Sequence, residues 1–293
     1  MIFGVTAKQF AHDLGRAISK DNVFNGAAAL GFYLTLALFP ALIALMSVLP
    51  YLPIDRVDEA IMDLLAQALP PEASDIVAQV VNQVMSERRG GLLSFSLIAT
   101  LWATSTGMYA IMRQLNITYG VEEERTFLKA RATALVLSLL FGVLIAGAFS
   151  LIVLGGVLQD WIGNRFGFSS VLLTVFASIR WAIIVLAMLL GFGIIYRFAP
   201  NVKQRFVFIT PGSAAGVSLL IAASLVFSFY TKNFGSYDAT YGSIGAVIIL
   251  MLWLYIAGLV ILIGSEINVL FARYRMERQH AGAETEMQQR NAS

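Results

Sequence analysis

Charged residues divide this chain into six apolar stretches. No Asp, Glu, Lys or Arg lies between Asp21 and Asp55, Arg89 and Arg113, Arg131 and Asp160, Arg205 and Lys232, or Asp238 and Glu266. A sixth gap, from Arg165 to Arg197, is interrupted only by Arg180. The 27 uncharged residues from Ala239 to Ser265 would make about 40 Å of helix at about 1.5 Å per residue. A bilayer core of about 30 Å needs about 20 such residues. The pattern therefore predicts an all-α polytopic membrane protein with six transmembrane helices, the first over 27–49.

Between and around these stretches the apolar positions recur at helical spacing. Phe10, Leu14, Ala17 and Ile18 share one face of a helix over 1–26, with Lys8, Arg16 and Lys20 beside it. That helix either lies on the membrane surface or packs as a soluble helix under the bundle. In the loop over 51–90, Ile54, Val57, Ile61 and Leu64 form one such face, and Ile76, Val77, Val80 and Val84 form another. Pro70-Pro71 breaks the two apart. The expected organisation is an amphipathic cytoplasmic helix (1–26), a six-span membrane domain (27–272) with an external helical loop (51–90), and a disordered cytoplasmic tail (273–293). The interfacial helices are those of 1–26 and 51–90. No cleavable signal is expected, because the first apolar run is too long and lacks a small-residue cleavage site.

Composition agrees with this reading. The 293 residues are 58% hydrophobic and 13% charged, with mean hydropathy +0.76, where a soluble domain carries about 25% charged residues. With both termini inside, the externally placed cations are Arg56, Arg88, Arg89, Arg165, Arg180 and Lys232, which leaves 14 of the 20 Lys and Arg on the cytoplasmic side. The positive-inside rule therefore favours cytoplasmic termini. A net charge of +2 argues against nucleic acid as a partner. There is no cysteine, and the two histidines, His12 and His280, lie in polar flanks. No metal site, cofactor or catalytic residue is therefore expected, and no phosphate-binding loop or nucleophile elbow is present. The chain is expected not to be an enzyme.

Small residues recur in two spans: Gly142, Ala146, Gly147, Gly155 and Gly156 in the third, and Pro211-Gly212-Ser213-Ala214-Ala215-Gly216 at the start of the fifth. Close helix packing is the simpler explanation and a substrate path the alternative. Thr118-Tyr119-Gly120 matches Thr240-Tyr241-Gly242, too short a match to establish a repeat.

Polar groups at membrane depth mark candidate functional positions. Arg180 interrupts span four. It either faces an internal cavity or avoids the core, by snorkelling or because the span starts after it near Trp181. Glu266 and Asn268 close span six, Glu266 being either a solvated interfacial acid or a buried partner of an arginine. Asp238 reads as a turn residue, with Tyr237 and Tyr241 in an aromatic lip. Asn25, Tyr33 and Asn116 complete the candidate substrate path.

Several stretches resemble the YihY/virulence factor BrkB family of bacterial inner-membrane proteins. They are Ala27-Ala28-Ala29-Leu30-Gly31-Phe32-Tyr33, Leu101-Trp102-Ala103-Thr104-Ser105, Leu115 to Glu123, Tyr196-Arg197-Phe198-Ala199-Pro200-Asn201, Asn233 to Ser243, and Gly264-Ser265-Glu266-Ile267-Asn268. The resemblance spans about 10–275. It implies a six-span inner-membrane protein, in a family linked to serum resistance and to export of lipid-A-type molecules. The family's old ribonuclease BN label does not suit a chain with this charge and so few histidines. The expected function is a transporter or flippase-like protein for an amphiphilic, anionic and lipid-type substrate in envelope biogenesis. The alternative is a non-transporting scaffold that partners envelope proteins.

Overall fold

The computed structural model describes residues 5–48, 90–166, 170–202, 204, 207–233 and 237–291. Within these are seven helices: α1 (Ala7–Lys20), α2 (Val23–Val48), α3 (Gly90–Thr118), α4 (Phe127–Phe166), α5 (Ser170–Phe198), α6 (Pro211–Asn233) and α7 (Tyr237–Asn291). The expected external helices over 51–90 fall outside the described residues, apart from the start of α3. Four described segments are long and apolar enough to cross a membrane: Phe127–Ile145, Leu172–Phe198, Pro211–Tyr230 and Val247–Ala281. A shorter apolar segment covers Val23–Ala37. The elements among the described residues are all helices, and the protein is multi-pass. Its outward faces are apolar, with Val143, Leu225 and Phe229 each about 70% exposed, far more open apolar surface than a water-soluble monomer tolerates.

The chain forms two compact units. The first comprises Met1–Gly26, Met112–Leu220 and Leu259–Ser293. In it, α6 and α7 meet backbone to backbone. A Cβ at Gly212 would collide with the Gly264 carbonyl and the Asn268 amide, and one at Gly264 would collide with the Tyr196 hydroxyl and lie 2.8 Å from the Gly212 carbonyl. Gly216 fits against the Phe192 ring. The small residues that open α6 are thus explained by close packing. Tyr196, fully buried, donates its hydroxyl to the Ile261 carbonyl at 2.9 Å.

Helix α1 also belongs to this unit. Thr6 caps its start, accepting from the Gln9 N–H at 3.3 Å. Its Phe10 ring packs edge-on against Phe271 at 5.6 Å, and Tyr274 donates to Asp13 at 2.6 Å. The apolar face of α1 is therefore taken up at least partly by α7. That bond to Tyr274 is the main reason the Asp13 carboxyl is held below its ordinary pKa. A turn with Asn22 in the left-handed region (φ 54°) leads into α2; asparagine tolerates that conformation better than most residues.

The second unit comprises Ala27–Ile111 and Ile221–Gly258. Here α2 lies against α7. A Cβ at Gly31 would come within 3.2 Å of the Tyr255 backbone, and one at Gly258 within 3.3 Å of the Ala27 carbonyl. Phe227 on α6 and Trp253 on α7 stack at 5.1 Å.

Four expectations change. The tail expected to be disordered from 273 continues as helix to Asn291; its Ala, Glu, Gln, Met and Arg are strong helix formers and no proline interrupts them. The helix around Arg180 is continuous from Ser170, so no separate interfacial segment ends at Trp181. The residues matching Thr118-Tyr119-Gly120 differ in conformation from them: the first set ends α3, whereas Thr240-Tyr241-Gly242 lies within α7. Finally, Gly142 and Gly147 have no described atom within 4 Å of an added Cβ, so close approach does not account for them.

The two kinds of glycine should respond oppositely to substitution. Gly264→Ala should lower stability by about 1–3 kcal/mol or more, because backbone and a buried ring must move. Gly147→Ala should change it by less than about 1 kcal/mol, in the direction of helix propensity. Thermal unfolding of the purified variants in one detergent tests both. Equal losses would contradict the packing described.

Candidate functional site

The densest polar network lies in the first unit, where four sequence segments converge. The first is the end of α3. It closes with a Schellman turn: the Val121 N–H bonds to the Asn116 carbonyl (2.9 Å) and the Gly120 N–H to the Ile117 carbonyl (3.0 Å), with Gly120 at φ 63°. Glycine is the residue best suited to that position. The turn throws the chain back so that Glu123 lies under Asn116, whose amide donates to it at 3.0 Å.

The second segment is the end of α5. Arg125 grips Glu123 through Nε (2.6 Å) and Nη2 (2.8 Å), and the same guanidinium donates to the Ala199 carbonyl at 2.8 Å. A cation is favourable at the carbonyl end of a helix. Asn116 accepts from the Asn201 N–H at 2.7 Å, and the Asn201 amide donates to the Glu122 carbonyl at 3.1 Å. Burial pushes the Glu123 pKa up, but the bonds from Arg125 and Asn116 outweigh it, and the carboxyl is held below its ordinary value.

The third segment is the start of α6. Thr210 is its N-cap, and Pro211 fills the first turn, where its missing N–H costs nothing. The Ser213 N–H donates to the Thr210 hydroxyl at 3.0 Å, and the Thr210 N–H to the Ser213 hydroxyl at 2.8 Å. This is a reciprocal capping box. The Gly212 N–H donates to the Asn268 side chain at 2.7 Å, so the fourth segment, on α7, completes the cap. The Tyr119 hydroxyl bonds to the Asn268 and Gln204 side chains, yet burial still raises its pKa.

Two cavities flank Tyr119. The larger, about 660 Å³, is lined by Asp13, Asp21, Glu266 and Glu277 together with Arg16, Lys20 and Arg273. Glu266 is 1% exposed, and its Oε1 has no hydrogen-bond partner among the described residues; the Thr118 hydroxyl and the Asp21 carboxyl face its side chain. The smaller cavity, about 490 Å³, carries Arg197 and Arg275 among largely apolar neighbours.

The structure thus gathers Asn116, Glu266 and Asn268 from the sequence-predicted set. Glu266 is buried and faces Thr118 and Asp21 rather than an arginine. Arg180 stands sixteen residues before Tyr196 on α5, about 24 Å along the helix axis. Its Nε and Nη1 are buried, with no hydrogen-bond partner among the described residues. Asn25 is exposed and donates to Asn22 at 2.9 Å, so it serves the turn into α2 rather than an interior path. Tyr33 is on the surface of the second unit against Phe32. The backbones of Tyr237, Asp238 and Tyr241 lie in the first turns of α7 rather than in a loop; their side chains lie outside the described residues.

Sequence reading passed over Asp21, Arg125, Gln204 and Arg275 as site residues. Arg125 alone had a readable signal, because it follows a Gly turn and a run of three glutamates, Glu122-Glu123-Glu124.

A family model described as Virulence factor BrkB matches residues 14–289. A Bacillus subtilis (strain 168) protein named as ribonuclease-like, YfkH, is 39% identical over 83% of this chain and 88% of its own length. An Alkalilimnicola ehrlichii protein named UPF0761 membrane protein is 27% identical over 89% of this chain, which spans 58% of that relative. A UPF0761 membrane protein of Tolumonas auensis is 22% identical over 96% of this chain and 91% of its own length. No solved structure matches.

Glu123→Gln should cost about 1–3 kcal/mol, the penalty for leaving the largely buried Arg125 with poorer partners. A folded-state pKa below the unfolded one means that this contribution is complete at neutral pH. It fades as the pH falls from about 4.3, the ordinary glutamate value, through the depressed one. Unfolding of wild type and variant between pH 3 and 8 checks this. A difference that grows on acidification would contradict it.

Proposed function

The chain belongs to the virulence factor BrkB family, and from that premise we propose that it is a transporter or flippase-like protein of the bacterial inner membrane. It crosses the membrane six times with both termini in the cytoplasm, and it moves an amphiphilic anion. The supporting observation is the pair of adjoining cavities at Tyr119, about 660 and 490 Å³. Volumes of this size suit small-molecule binding. Most of their ionisable groups lie on α1 and the end of α7, but Glu266 is fully buried in a helical unit whose outer faces are apolar, and a membrane protein keeps such a group inside chiefly for substrate or ion handling. Glu266 in one cavity and Arg197 in the other give the two sides different chemistry, a carboxyl on one and a guanidinium on the other.

The role is not enzymatic. A ribonuclease-like name belongs to the Bacillus subtilis relative, but nuclease activity in this chain would require groups that its two histidines, absent cysteines and net charge of +2 supply poorly. No adjacent nucleophile and base stand out in the network around Tyr119.

Reconstitution into liposomes with fluorescent phospholipid or lipid-A analogues tests the proposal. Wild type should accelerate exchange between leaflets. Glu266→Gln and Arg180→Ala should each slow it about tenfold or more while leaving the melting temperature of the protein within a few degrees. Absence of exchange by wild type, with and without a proton gradient, would overturn transport. Attention would then turn to the scaffold reading, for which deletion of 54–87 should abolish co-purification of envelope partners.

A further inference from the structure

We propose that the smaller cavity is a binding site for a phosphate-bearing amphiphile, with Arg197 and Arg275 as its anion ligands. This deepens the transport reading and rests on it only for the movement of the ligand after binding. Three observations carry it.

The first is charge. Arg197 and Arg275 line this cavity, and no Asp or Glu does so among the described residues. The larger cavity is the internal contrast: its three cations, Arg16, Lys20 and Arg273, stand among four carboxylates. An anion entering the larger cavity meets carboxyl groups that outnumber the cations, whereas one entering the smaller meets only cations among the described residues.

The second is unmet hydrogen-bonding capacity. The Arg197 Nε is buried without a hydrogen-bond partner among the described residues, and its Nη1 reaches the Val202 carbonyl only at 3.5 Å. A guanidinium offers five donors in a planar fork that matches two phosphate oxygens. The Tyr119 hydroxyl lies in the same wall and can add a bond, whereas the Gln204 amide there already donates to the Tyr196 carbonyl at 2.6 Å. The start of α6 borders the cavity too. Its N–H groups at Gly212 and Ser213 are already bonded, so it contributes the positive end of its dipole rather than further donors.

The third is the apolar remainder. Val207, Ile209 and Met276 line the cavity and are each more than half exposed, at 53%, 54% and 56%. A free inorganic anion gains nothing from such a rim. A ligand with a phosphate head and an alkyl chain uses both parts, the head on the arginines and the chain along the rim, where its transfer from water is favourable. Arginine suits this role better than lysine, since it is more weakly hydrated and binds phosphate bidentately.

The test is titration of the detergent-purified full chain with dihexanoyl phosphatidic acid, read by native mass spectrometry, with inorganic phosphate as competitor. Saturable binding is expected. It should be about tenfold weaker in Arg197→Gln and in Arg275→Gln, and unchanged in Arg278→Gln, which removes an exposed cation of α7 that lines neither cavity. Arg275 is exposed, so its variant reports on binding even if Arg197→Gln folds poorly. Competition by millimolar phosphate would identify the free anion as sufficient for recognition, and lack of competition would identify the lipid headgroup with its chain; both support the site. Absence of saturable binding, or wild-type affinity in both arginine variants, overturns it. Arginine-dependent binding without leaflet exchange would retain this site and remove transport. Exchange indifferent to both arginines would do the reverse.

Discussion

The first unit hangs on the contact between Gly212 and Gly264, where the backbones of α6 and α7 come too close for a side chain on either. Several other contacts need that proximity. Asn268 reaches the Gly212 N–H only because its helix lies against the start of α6, and Tyr196 reaches the Ile261 carbonyl through the space that the missing Cβ at Gly264 leaves open. The start of α6 is satisfied from within the protein, by Thr210 and Ser213 of its own chain and Asn268 of its neighbour.

The same logic explains the polar end of the unit. The final carbonyls of α5 are answered by Arg125, the turn after α3 by Gly120, and the Asn201 backbone by Asn116. Glu123 joins these, since it holds both Arg125 and Asn116. Such a frame is rigid, and it leaves Tyr119 fixed between two cavities of different electrostatic character. Glu266 and Arg197 retain buried polar atoms that the frame does not satisfy. Those atoms distinguish groups available to a ligand from groups committed to structure. Asn116 and Asn268, by contrast, are structural: each joins two segments and has its amide engaged.

Much of this was legible in the chain itself. An uncharged run long enough to span a bilayer is a local property, so the helices, their apolar faces and the multi-pass character follow from composition and spacing. The turn at Gly120 and the start of α6 at Thr210-Pro211 are equally local, because a left-handed residue and a capping box are specified by a few neighbours. Where the reading went astray, the decisive factor was non-local or subtle. Gly142 and Gly212 look alike in sequence, yet only Gly212 meets another backbone. Asn25 and Asn116 are both asparagines at helix ends, but one closes a surface turn and the other bridges segments 85 residues apart.

The sequence alone therefore determined that this is a helical membrane protein and which residues were chemically able to serve a site, since hydropathy, turn chemistry and side-chain type reside in the residues themselves. Only the tertiary structure decided which of those residues meet. Glu266 faces Thr118 and Asp21, not the arginine its charge invites, and Arg180 lies about 24 Å along α5 from the network. The reason is that pairing depends on helix register and on the closest approach of backbones. Both are set by where a missing Cβ lets two helices touch, and no single stretch of sequence records that.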